Sequence, residues 1–143
     1  AADIVLAAQS AKFIQSFAKV GLIPDTAGSY HLPRLLGEAR AKALALTGEP
    51  LSAEQAADWG LIWKCVADDV LMDEARALTA KLADGPTLGL SLTKSLIQTS
   101  GAYTLAEQLE REAGAMKTCG ESADYAEGVR AFLEKRQPVF RGE

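Results

Sequence analysis

The sequence predicts an α/β protein in which helices dominate the C-terminal portion. A continuous apolar run at Asp3–Ala8 is typical of a strand that is buried on both faces of a sheet. One other stretch, Leu61–Val66, has the character of a strand. From Glu38 onward, most of the chain repeats its apolar residues every three or four positions, as amphipathic helices do. Strands near the start and helices thereafter define the predicted fold class.

Composition limits the classes of function. The 143 residues are 48% hydrophobic and 24% charged, which is typical of one globular domain. The net charge of -4 disfavours nucleic acid as a partner, and no apolar run is long enough to span a membrane. Cys65 and Cys119 match no metal-ligand spacing, and we interpret them as reduced thiols. We therefore expect a cytoplasmic protein without a metal site or a membrane partner.

The first strand candidate needs neighbours that the chain does not offer. A sheet of two or three strands is too small to cover the run at Asp3–Ala8 on both faces. We therefore expect the flanking strands to belong to an N-terminal portion that precedes this sequence.

An irregular segment is predicted between the first strand and the first helix. Phe13–Phe17 alternates apolar and polar residues, so we expect it to be extended. Gly21–Asp25 is predicted to be a loop, because Pro24 biases the residue before it away from helical geometry. Asp25 or Thr26 is the expected N-cap of the helix that follows, since both side chains can accept a hydrogen bond from a free N–H group.

Helix-end signals divide the rest of the chain. Glu38–Thr47 is rich in Ala, the best helix former, and Gly48 fits the residue just past a helix end. Ser52 and Gln55 have the spacing of a capping box at the start of a short helix. Later helices are predicted by apolar repeats at Leu71–Leu82, Leu88–Leu96, Leu105–Met116 and Ser122–Lys135.

The order of these segments resembles one protein family. D-I-V-L-A is followed by A-K-F, G-L-I-P-D-T-A-G-S, L-P-R-L-L-G and A-L-x-L-T-G-E-P-L-S-A-E-Q-A-x-x-W-G-L-I, and the chain closes with E-G-V-R-A-F-L-E-K-R-Q-P-V-F. This series resembles the C-terminal half of the enoyl-CoA hydratase/isomerase, or crotonase, superfamily. The segments F-A-K-V-G-L-I-P-D, A-A-D-W-G-L-I-W-K-C-V and E-S-A-D-Y-A-E-G-V resemble, within it, isomerases of phenylacetate catabolism.

The resemblance implies a fold, a substrate class and an assembly. The implied fold is a superhelix of β-β-α units, with residues 1–66 forming the end of the core and its active-site loop. Residues 67–143 would form helices that contact CoA and build a homotrimer or hexamer. The substrate would be an acyl-CoA thioester, so that CoA is part of the substrate and no separate cofactor is needed. One of the family's two oxyanion N–H donors belongs to a Gly-rich segment upstream, so we expect the 143-residue chain alone to be inactive.

The resemblance also assigns site residues. Of the family's carboxylate positions, one matches Asp25, which would act as acid and base, and another matches Phe17, which cannot carry protons. Because hydration uses two carboxylates, this pattern favours isomerisation, for instance of ring-epoxidised phenylacetyl-CoA. Phe17 and Ile23 are predicted to line the acyl pocket. Phe132 and Lys135 match positions that contact CoA, and their spacing of three places them on one face of a helix.

Other interpretations of the same residues stay open. Asp25 can be a helix cap, Phe17 and Phe132 core residues, and Lys135 a solvated charge. The protein can also be an enoyl-CoA hydratase or an aryl-CoA dehalogenase of the same superfamily. A non-catalytic assembly module is the alternative from a different class.

Overall fold

The computed structural model describes residues 2–143, which form two compact units, one ending at Ala75 and one spanning Arg76–Glu143. The strands are β1 Leu6–Ala8, β2 Lys12–Phe13, β3 Leu51–Ser52 and β4 Lys64–Val66. The α-helices are α1 Gly28–Leu36, α2 Glu38–Thr47, α3 Ala53–Asp58, α4 Leu71–Ala83, α5 Thr87–Thr99, α6 Leu105–Gly120 and α7 Ala123–Glu134. Single 3-10 turns occupy Ser16–Val20, Asp68–Val70 and Ser100–Ala102.

The two strand candidates pair with each other. β1 runs parallel to β4, with Leu6 opposite Lys64, and β2 runs antiparallel to β3. The predicted strand at Asp3–Ala8 is confirmed only for its second half, because β4 offers three residues for pairing. Ile4, outside the strand, is 40% exposed.

An apolar cluster holds the first unit together. Its buried members come from β1, β3, the three helices α1 to α3 and the turn after α3, and Leu51 is the largest side chain among the fully buried ones. The cluster consists of Ala7, Leu32, Leu36, Ala41, Leu44, Leu51, Ala53, Ala56 and Ile62. Small alanines, Ala53 and Ala56, bring the α3 backbone close to the strands, because they fill little space between elements.

The predicted bounds of α2 and the predicted N-cap of α3 are confirmed. α2 spans the predicted Glu38–Thr47, and Gly48 follows it at φ 64°, in the left-handed region that glycine adopts without strain. The Ser52 hydroxyl accepts a hydrogen bond from the Gln55 N–H at 3.2 Å, so Ser52 caps α3.

The second unit is built from helices. α6 begins with a capping box between Thr104 and Glu107. Pro86 lies at the N-cap of α5, where its missing N–H group costs the helix no hydrogen bond. Within residues 2–143, every helix is too short or too polar to cross a bilayer.

Candidate active site

The segment that precedes Asp25 is helical where it was predicted to be extended. The strand ends at Phe13, and Ser16–Val20 forms a 3-10 turn in which Phe17 is half-buried. Gly21, at φ 74°, closes this turn, and the Leu22 N–H donates to the Phe17 carbonyl at 2.9 Å. The alternation of five residues was therefore misleading, because it is too short to distinguish a strand from a single turn.

Asp25 lies in the loop after this turn with its carboxylate exposed. The Thr26 hydroxyl donates a hydrogen bond to Asp25 Oδ1 at 3.1 Å. No Lys or Arg among residues 2–143 forms an ion pair with it. An unpaired, accessible carboxylate can accept a proton from a ligand and return it.

The prediction that Asp25 or Thr26 caps the next helix is wrong. Helix α1 starts only at Gly28, and its N-cap is Ala27, whose side chain makes no capping hydrogen bond. Thr26 and Ala27 have φ 45° and 63°, so two consecutive non-glycine residues occupy the left-handed region. This turn delays the helix and leaves the Asp25 carboxylate free of the capping role. Such strain is sparse in proteins and concentrates at functional sites.

The loop is fixed on its other side by a close contact with α1. A Cβ added at Gly28 would lie 3.2 Å from Pro24 Cβ, so the glycine allows the residue before Asp25 to pack against the helix. Next to this contact is an open apolar groove of about 460 Å³ between α1 and α2. Pro24, Leu32 and Leu46 are among the residues that line it.

The predicted pocket residues occupy different environments. Ile23 is 82% exposed, whereas Phe17 is half-buried in the 3-10 turn. Both lie on the same connecting segment as Asp25, between β2 and α1. Their role as walls of an acyl pocket stays a prediction.

Phe132 and Lys135 lie at the end of α7 in the second unit. Phe132 is 82% exposed and borders an apolar groove of about 460 Å³ that Leu88, Tyr125 and Phe140 also line. Helix α7 ends at Glu134, and Lys135 follows it at φ 54° as a left-handed C-cap. The expectation that the two side chains share a helical face is wrong in this detail, because Lys135 has left the helix. Phe132 is not a core residue of this chain.

Two buried carboxylates in the first half of α7 were missed. Glu127 binds Arg136 and Arg130, whose hydrogen bonds hold the pKa of its carboxyl well below the usual range. Asp124 accepts hydrogen bonds from two backbone N–H groups, those of Arg141 at 2.7 Å and Gly142 at 2.9 Å. Only the Glu127–Arg130 spacing of three was visible in the sequence. The other contacts depend on how residues 136–143 fold back along α7.

The titratable groups of residues 2–143 do not converge on a metal ion. No group of three His, Cys, Asp or Glu side chains in this range has the arrangement of a metal site. The chemistry that the described side chains offer near Asp25 is proton transfer by one carboxylate.

Comparison with known proteins gives consistent results. Residues 1–143 match the family model described as enoyl-CoA hydratase/isomerase. The chain is 52% identical over 141 residues to the 1,2-epoxyphenylacetyl-CoA isomerase of Escherichia coli, covering 99% of this chain and 54% of the relative. It is 46% identical over 142 residues to a Rhodobacter capsulatus protein named "Probable enoyl-CoA hydratase", covering 99% of this chain and 55% of that protein.

A solved structure agrees in fold. The crystal structure of an enoyl-CoA hydratase from Bacillus anthracis matches with a TM-score of 0.93 at 33% identity, covering 99% of this chain and 55% of that chain. The chain therefore spans about half the length of the relatives that it matches.

Proposed function

The chain belongs to the enoyl-CoA hydratase/isomerase family, and we propose that the protein is an acyl-CoA isomerase that uses Asp25 as its acid and base. The α/β, crotonase-like fold predicted from the sequence is confirmed by the structural match. We propose ring-epoxidised phenylacetyl-CoA, or a related unsaturated acyl-CoA, as the substrate. The identity of 52% to the Escherichia coli isomerase supports this choice.

The observation that carries the proposal is the state of the Asp25 carboxylate. It is exposed and free of ion pairs, and the helix after it starts without using it as a cap. The nearby position where the family places another carboxylate is Phe17 in this chain. One carboxylate can move a proton between two atoms of a substrate, whereas hydration in this family uses two.

The proposed reaction conserves every atom of the substrate. The thioester carbonyl makes a proton on the neighbouring carbon removable when donors stabilise the enolate oxygen. Asp25 accepts this proton while the electron pair of the C–H bond moves into the enolate, and it returns the proton to another carbon. With an epoxide, Asp25 gives its proton to the oxygen as a C–O bond opens, and it takes the same proton back when that oxygen bonds to carbon again in the rearranged ring.

We propose that Phe132 and Lys135 contact the CoA part of the substrate. The exposed ring of Phe132 offers a face for stacking on adenine, and the Lys135 ammonium offers a charge to a phosphate. The exposure of Phe132 supports this role over a role in the core of the chain.

We also propose that the protein is a homotrimer or hexamer. Large apolar side chains of the second unit are exposed in the isolated chain: Leu105 to 76%, Met116 to 73% and Leu133 to 74%. Apolar surface of this kind is typical of association surfaces. Sedimentation velocity of the full-length protein measures the assembly, and a monomer at micromolar concentration would contradict it.

Hydration is the second candidate function, since the Rhodobacter capsulatus relative is named as a hydratase. Mass spectrometry separates the two reactions, because an isomer keeps the mass of its substrate and a hydratase product gains one water. The full-length protein is incubated with ring-epoxidised phenylacetyl-CoA and with a 2-enoyl-CoA. We expect a product of unchanged mass, and we expect Asp25→Asn to abolish its formation.

The matched control is Asp69→Asn, which makes the same chemical change at another exposed aspartate of the first unit. It should keep wild-type turnover. A product that carries added water, or full turnover by Asp25→Asn, would overturn the proposal.

A further inference from the structure

Among the described residues of the second unit, Glu127 is the carboxylate that accepts the most hydrogen bonds. Its side chain is only 11% exposed. Oε1 accepts from Arg136 Nη1 at 2.6 Å and from the Val139 N–H at 3.0 Å. Oε2 accepts from Arg136 Nη2 at 3.0 Å and from Arg130 Nη2 at 2.5 Å. Both oxygens are therefore paired, as a buried carboxylate requires.

The Arg136 contact acts on the backbone that carries Lys135. Two hydrogen bonds close the end of α7, from the Lys135 N–H to the Phe132 carbonyl at 3.2 Å and from the Arg136 N–H to the Ala131 carbonyl at 3.0 Å. Lys135 itself is left-handed, a conformation that L residues adopt only when their surroundings enforce it. The guanidinium of the next residue, Arg136, donates two hydrogen bonds to Glu127 and a third, from Nε at 2.6 Å, to Glu134.

Asp124, on the same helix, binds a different part of the C-terminal segment. It binds the N–H groups of Arg141 and Gly142, and its own N–H donates to the Glu143 carbonyl at 2.9 Å. These contacts tie down the far end of residues 136–143, six residues beyond Lys135. A side chain at Gly142 would collide with Thr87, so this end packs against the start of α5. Asp124 therefore orders the same segment without touching the turn at Lys135.

We propose that Glu127 is a positioning residue for the CoA moiety of the substrate, because it fixes the backbone turn that presents Phe132 and Lys135. This inference rests on the proposed contact of these two residues with CoA. Glu127 itself lies in α7, about two turns before the helix end, and its link to the turn at Lys135 is the pair of hydrogen bonds from Arg136.

Calorimetric titration of the full-length protein with CoA tests this role. Glu127→Gln keeps the shape of the side chain and removes its charge. We expect it to weaken CoA binding about tenfold, the size of one lost charged hydrogen bond. The KM for the acyl-CoA substrate should rise by a similar factor while kcat stays within about twofold, because the reacting groups are untouched. Asp124→Asn, the matched carboxylate-to-amide change, should leave CoA binding within about twofold.

Phe132→Ala and Lys135→Ala separate the inference from its premise. If neither weakens CoA binding, the proposed contact is wrong and the inference falls with it. If they weaken binding but Glu127→Gln does not, the inference alone is overturned. Equal weakening by Asp124→Asn also overturns it, because general ordering of residues 136–143 would then suffice.

A double-mutant cycle measures the coupling between Glu127 and Arg136 in CoA binding. If the two residues had independent structural roles, this coupling would be zero. Glu127→Gln combined with Arg136→Gln should bind CoA no more weakly than either single variant, because both remove the same interaction. If the losses of CoA-binding free energy in the two single variants add up in the double variant, the coupling is contradicted. If Glu127→Gln fails to fold, Arg136→Lys carries the same test, since it keeps the charge but loses the two-pronged contact. Wild-type binding by Arg136→Lys would then overturn the inference.

Discussion

Up to Ala75, the buried side chains among the described residues are all apolar, whereas between Arg76 and Glu143 two of the three buried side chains are carboxylates. The first unit is stabilised mainly by removing hydrocarbon from water. In the second, charge-assisted hydrogen bonds from backbone N–H groups to the carboxylates of Asp124 and Glu127 order the last eight residues along α7. The two units should therefore respond differently to cavity-creating substitutions and to acid.

The largest effect is expected from a cavity in the first unit. Leu51→Ala removes a side chain that is 2% exposed and should lower the free energy of unfolding by about 3 kcal/mol. Leu46→Ala makes the same change at a residue that is 75% exposed and should cost less than about 0.5 kcal/mol. Urea denaturation followed by circular dichroism measures both. Equal losses would show that the apolar cluster does not hold this unit together.

An intermediate effect, which depends on pH, is expected at Glu127. Hydrogen bonds from Arg136 and Arg130 lower the pKa of its carboxyl in the folded state. The stabilisation is therefore present above the unfolded pKa of about 4.3 and is lost as the pH falls below it. Glu127→Gln should be less stable than wild type at pH 7, and the difference should shrink towards pH 3.

Urea midpoints of the two proteins between pH 7 and pH 3 give this difference directly. Glu107→Gln is the control. Hydrogen bonds from Thr104 lower the pKa of Glu107 too, but this carboxylate is exposed. The stability difference between wild type and Glu107→Gln should therefore shrink less as the pH falls. If the urea midpoints of wild type and Glu127→Gln changed in parallel with pH, the account of the second unit would be contradicted.

A smaller effect is expected where the Asp25 loop meets α1. Gly28→Ala places a Cβ 3.2 Å from Pro24 Cβ, so the loop must shift by a few tenths of an ångström. Because proton transfer needs close alignment, kcat should fall by about tenfold with little change in stability. Gly114→Ala, in α6, meets nothing within 4 Å and should leave kcat unchanged. Steady-state kinetics of both variants decide the point, and equal kcat values would show that the Pro24 contact does not position Asp25.

The smallest effect on stability is expected at Phe132. Its ring is 82% exposed, so Phe132→Ala should change the free energy of unfolding by less than about 0.5 kcal/mol. CoA binding should weaken nevertheless. A loss of several kcal/mol in urea denaturation would instead make Phe132 a packing residue of the assembled protein.

Much of the helical architecture was predictable because its signals are local. The bounds of Glu38–Thr47 follow from alanine propensity and from a glycine at the end, and the Ser52 cap follows from the spacing to Gln55. Neither signal needs tertiary contacts. The extent of β1 was not predictable, since it depends on the three residues that β4 offers for pairing.

The candidate site was predictable only in part. Its residue Asp25 came from the family resemblance, while the cap interpretation failed because Thr26 and Ala27 adopt left-handed conformations that no local residue type requires. The carboxylates of α7 were missed for a similar reason. Asp124 binds backbone N–H groups seventeen and eighteen residues away, and such partners have no pattern in the sequence.

The most direct test compares turnover with ligand binding in two variants, one from each unit. In the full-length protein, Asp25→Asn should lower kcat by about a thousandfold while the Kd for CoA stays within about twofold. Lys135→Ala should raise the Kd for CoA and leave kcat close to wild type, because it removes a ligand contact and no proton carrier. Substantial turnover by Asp25→Asn, or an unchanged Kd with Lys135→Ala, would contradict the assignment of proton transfer to Asp25 and of CoA binding to Lys135.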